Sequence, residues 1–165
     1  MFGKTLSEYI AFQKPVLLLI AAVWFARLVL SLAGVPVSGA QLVSVTVVLV
    51  LGALYYGWTV GRKGFGSFKQ LYGLNLIQCL FSQTLVALAI VLGNVTGQDN
   101  IYTIPEFYPP AQGIYLFGLP PDGKTLGHAI EHIVVAGAIG FPIIGWLLGS
   151  IVHLATRKSS PAGAA

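Results

Sequence analysis

Charge is scarce in this chain. Its 165 residues include nine Lys or Arg and five Asp or Glu, 8% in all, where an average soluble domain carries about 25%. A soluble fold of this length needs far more polar surface. The scarcity excludes a soluble enzyme and a disordered tail. The net charge of +4 comes from bases scattered along the chain, so no basic patch exists for nucleic acid. Cysteine is almost absent too. Cys79 is single, which excludes an intrachain disulfide and any paired-thiol motif. Strict apolar–polar alternation is missing, and with it the strands of a membrane barrel. What remains is a 56% hydrophobic chain that reads as an all-α integral membrane bundle.

Charge-free windows at 28–61, 70–98 and 132–156 locate the spans. A helix needs about 20 mostly apolar residues to cross about 30 Å of hydrocarbon. Four transmembrane helices are predicted, at about 15–34, 40–60, 70–92 and 127–154. Together they make one domain over 1–156, followed by a short tail at 157–165. Pro15 suits a first helical turn, and Gly34, Pro36 and Gly39 make a turn after the first span. The first apolar run lacks a small-residue cleavage site and reads as a retained helix.

Basic residues orient the bundle. Lys4 and Lys14, then Arg62, Lys63 and Lys69, then Arg157 and Lys158 fall on one side of a four-span topology. Both termini are therefore expected to be cytoplasmic and the 93–126 loop extracytoplasmic. That loop holds five prolines, with Tyr102, Phe107, Tyr108, Tyr115 and Phe117. Disordered segments are poor in aromatics, so an ordered, packed loop is expected. Asn94-Val95-Thr96 is a formal glycosylation sequon.

Polar residues inside the spans are the site candidates. Arg27 interrupts the first span, and Glu131 is the one acid inside a span. At about 1.5 Å per residue both fall in one slab of the membrane, with Ser44 and Thr46 at similar depth. An Arg27–Glu131 ion pair between the first and fourth helices is expected, since pairing relieves two desolvation penalties. His128, Glu131 and His132 share a helical face. Their H-x-x-E-H spacing resembles the zinc motif of inverzincins over five residues. That family needs a further acidic ligand, and no acid follows Glu131. Neutral imidazoles could also hold haem, a pigment or a metal ion. All histidines lie on the fourth span, so bis-histidine haem would need a second chain. Asn75, Gln78 and Ser82 form one polar stripe by their i, i+3, i+7 spacing, with Cys79 beside it and Gln83 further round. Such a stripe usually ties helices together.

Two GxxxG patterns, Gly57–Gly61 and Gly145–Gly149, are candidate close-packing faces, and His153 continues the second. Pro142 should kink the fourth span by freeing a carbonyl. The residues favour a non-catalytic subunit of a larger membrane complex or a homo-oligomer, with the lipid bilayer and other membrane chains or copies of itself as partners. A haem-, pigment- or metal-binding anchor using His128 and His132 is the first alternative. An oligomeric small-solute or ion transporter protomer is the second.

Overall fold

The computed structural model describes residues 1–40, 42–103 and 125–156. These form helices and no strands among the described residues. Four helical stretches are long and apolar enough to cross a membrane: Leu6–Leu32, Val37–Thr59, Phe68–Thr96 and Leu126–Thr156. The chain is a small polytopic membrane protein built as an all-α bundle.

Helix α1 spans Leu6–Leu32, so it starts ahead of the predicted 15 and carries Pro15 in its interior. The reason is a capping box. Glu8 N–H donates to Thr5 Oγ1 at 3.2 Å while Thr5 N–H donates to the Glu8 carboxylate at 2.8 Å. Lys4 pairs with Glu8 at 3.1 Å. Hydropathy stops at the charged flank, but the helix does not, because capping satisfies its first donors.

The second span is broken. A short α2, Val37–Ala40, precedes α3, Val45–Thr59. Ser44, placed inside the span by sequence, is instead the N-cap of α3 and accepts the Val47 N–H at 3.4 Å. Helix α4 covers Phe68–Thr96 and ends at Gly97, whose φ of 72° is left-handed. Asn94-Val95-Thr96 is thus its last turn. After it the chain folds back: buried Asn100 donates from Nδ2 to the Ala89 carbonyl at 2.9 Å. Residues 104–124, the larger part of the predicted packed loop, lie outside the described residues, as does the tail at 157–165.

The last span runs through α5, Leu126–Glu131, a π-helical stretch, His132–Gly140, and α6, Phe141–Thr156. At the end of the π stretch the Phe141 N–H reaches five residues back, to the Ala136 carbonyl. Pro142 follows at once. The ladder changes from five-back to four-back where proline already removes a donor.

Helix α4 is the hub and packs on α1, α3, α5, the π stretch and α6. Helix α1 packs on α2, α3 and α4 and turns Leu18, Leu19 and Phe25 outward. An apolar outer face suits lipid, so small residues and polar contacts must set the helix crossings. The two GxxxG patterns meet each other. A Cβ on Gly57 would fall on the Gly149 carbonyl, and one on Gly149 would lie 2.8 Å from the Ala53 carbonyl. Below this crossing Gly61 receives the His153 ring.

Candidate functional site

The stripe predicted on α4 faces inward. Asn75, Gln78 and Ser82 are fully buried. Asn75 Nδ2 donates to the Leu71 carbonyl one turn back at 2.9 Å. Gln78 Nε2 donates to the Leu49 carbonyl on α3 at 3.2 Å and to Asn75 Oδ1 at 3.1 Å. Glycines on the facing helices make room: Gly52 lies against Gln78, and Gly145 against Asn75. Through Gln78 the stripe ties α4 to α3 inside the bundle. Gln78 Oε1 and Ser82 Oγ have no hydrogen-bond partner, an expensive state in an apolar interior.

One turn along α4 the bundle holds a chain of three side chains. His132 Nδ1 lies 2.7 Å from Gln83 Oε1, and His132 Nε2 lies 3.1 Å from His128 Nε2. These partners assign the tautomer. An amide oxygen only accepts, so Nδ1 of His132 carries the proton and its Nε2 presents a lone pair to His128. Thr125 caps α5 by accepting the His128 N–H at 3.2 Å. Gly137 brings the π stretch close to Gln83, whose Cβ would meet an added Cβ at 3.0 Å. Gln83 completes the arrangement, yet sequence spacing set it aside as off the stripe. Only a partner on another helix reveals it.

Glu131 does not join the histidines. No group of three His, Cys, Asp or Glu side chains able to hold a metal occurs among the described residues. Nor does the structure bring Glu131 to Arg27. No Cα of α1 comes within 8 Å of one in α5 or α6, and the ion pair among the described residues is Lys4–Glu8. Matching heights fixed the depth of the two charges but not their direction around the bundle. Arg27 instead lies over the Tyr102 ring at 5.3 Å. Burial pushes the Tyr102 phenol up to about 12, with the Arg27 charge pulling the other way, so Tyr102 stays neutral at physiological pH.

This geometry gives an expected result. Arg27→Leu and Glu131→Leu should each lower thermal stability in detergent, and the losses should add to within about 0.5 kcal/mol, as for residues sharing no contact. A double variant that regains most of either loss would restore the ion pair. No protein-family model, no curated protein and no solved structure matches this chain.

Proposed function

We propose that this polytopic membrane protein binds a small transition-metal cation of the zinc or copper class between His128 and His132. The observation that carries the reading is the 3.1 Å approach of the two Nε2 atoms, with Gln83 holding the far side of His132. A tetrahedral ion about 2.0–2.1 Å from each nitrogen needs them about 3.3–3.4 Å apart, so a slight parting of the rings admits it. A carbonyl on the other ring nitrogen is the usual outer partner of a metal-bound histidine. Imidazole donors suit this metal class. Haem or a pigment fits less well, because each Nε2 faces the other ring rather than a flat macrocycle. Two protein ligands leave the remaining positions to water or an exchanging ligand.

The wider role is that of a non-catalytic membrane subunit carrying the ion, in a larger complex or an oligomer. Lys4, Arg62, Lys63 and Lys69 gather at one end of the bundle, where α1 starts and α3 gives way to α4. By the positive-inside bias, that end and both termini face the cytoplasm, and the histidine pair lies toward the other side.

Cobalt(II) titration of the purified full chain in detergent, followed by its visible d–d absorption, checks the reading. One ion per chain is expected. Gln83→Leu should weaken binding about 10- to 100-fold, as loss of an outer-shell partner does, and His128→Ala with His132→Ala should abolish it. Undiminished binding in the double variant, or none in the wild type, would sink the idea.

A further inference from the structure

A cavity of about 610 Å³ opens at the basic end of the bundle, lined by Trp58, Gly61, Arg62, Ser67, His153 and Thr156. Its size lies in the range of about 300–1,000 Å³ typical of ligand sites. We propose that it holds a phosphate-bearing anion.

Three features of the wall point to negative charge. The Arg62 guanidinium stacks on the Trp58 ring at 4.9 Å, which fixes a cation at the mouth. The 29-residue α4 begins just after Ser67, so the positive end of its dipole faces the cavity. His153 is 4% exposed. Its ring is held by carbon contacts, edge-on to Phe68 at 5.0 Å and seated where Gly61 lacks a side chain. No described residue hydrogen-bonds its ring nitrogens. No acid among the described residues lines the wall. A buried imidazole with no hydrogen-bond partner among the described residues, a stacked guanidinium and a helix N-terminus together make an anion site. The site stands at the ends of the membrane helices, at headgroup height. The phosphate could therefore belong to a bilayer lipid or to a soluble phosphate ester.

The test uses the full chain, purified and delipidated in a neutral detergent, and reads binding by native mass spectrometry and calorimetry. Phosphatidylglycerol is one probe and glycerol phosphate the other. Binding by the lipid but not the ester assigns the site to a headgroup. Binding of the ester assigns it to a soluble compound. In either case Arg62→Gln and His153→Gln should each weaken binding about tenfold, the loss of one charge-assisted contact. Arg62→Gln changes an exposed side chain and keeps the test valid if His153→Gln disturbs the glycine crossing. Binding should survive in His128→Ala/His132→Ala, which separates this site from the histidine pair. No binding of either probe, or equal binding by the wild type and Arg62→Gln, overturns the proposal.

Discussion

Replacing Gly57 by alanine should cost about 3 kcal/mol, the upper end of ordinary overpacking, and loosen the contact between α3 and α6. One methyl group has this leverage because of what it meets. The added Cβ would fall on the Gly149 carbonyl, with the Gly149 Cα 2.9 Å away. Backbone cannot swing aside as the end of a side chain can. The helices must separate, and the seats of Gly149 on Ala53 and of His153 on Gly61 loosen with them. Ile151, 64% exposed on the same helix, provides the comparison: its change to alanine should stay within about 0.5 kcal/mol. Unfolding in mixed micelles measures both. A Gly57→Ala protein as stable as the wild type would mean that the crossing is not tightly set.

The second large effect is expected at Gln78. Its amide serves two acceptors on different helices, the Leu49 carbonyl and Asn75 Oδ1. Gln78→Leu keeps the bulk and strands Asn75 Oδ1 in an interior without water. A loss of about 2 kcal/mol follows from leaving a buried acceptor unmet. The sign of the double change is more telling. Removing both polar partners is close to neutral, whereas removing one is not. Asn75→Leu added to Gln78→Leu should therefore recover about 1 kcal/mol. Strict additivity would mean that the two amides do not act as a unit.

The four spans were legible because the hydrocarbon demands long uncharged runs, and nothing else in a chain of this size imitates them. Their ends were less legible. Thr5 and Glu8 build a cap in the charged flank that hydropathy discards, and Ser44 starts a helix from within an apolar run. Both glycine patterns could be read, since small residues four apart announce a close approach, although only packing reveals that they face each other. The inward stripe was visible by spacing alone. Gln83 and His132 were not visible as partners, and Arg27 with Glu131 was paired on height. Both depend on rotation about the helix axis, and the π stretch upsets that reckoning. Gly145 comes thirteen positions after His132. In an unbroken α-helix of 3.6 residues per turn they would point about 140° apart. Yet His132 faces Gln83 and Gly145 faces Asn75, both on α4. Wider turns rotate less per residue, and the lag brings the two positions onto one side.

That lag makes the last helix a shaft with two settings locked in phase. The histidine pair is read by the upper half of α4 and the glycine crossing by α3 and the lower half. Losing one residue from His132–Gly140 would turn one setting against the other by somewhat less than the ~100° per residue of an α-helix, so that only one could engage at a time. Pro142 guards the offset, because a chain without that N–H gains little by winding back to a regular ladder. Outward side chains such as Val134 and Ile139 are free to vary in kind. The number of residues between the two settings is not.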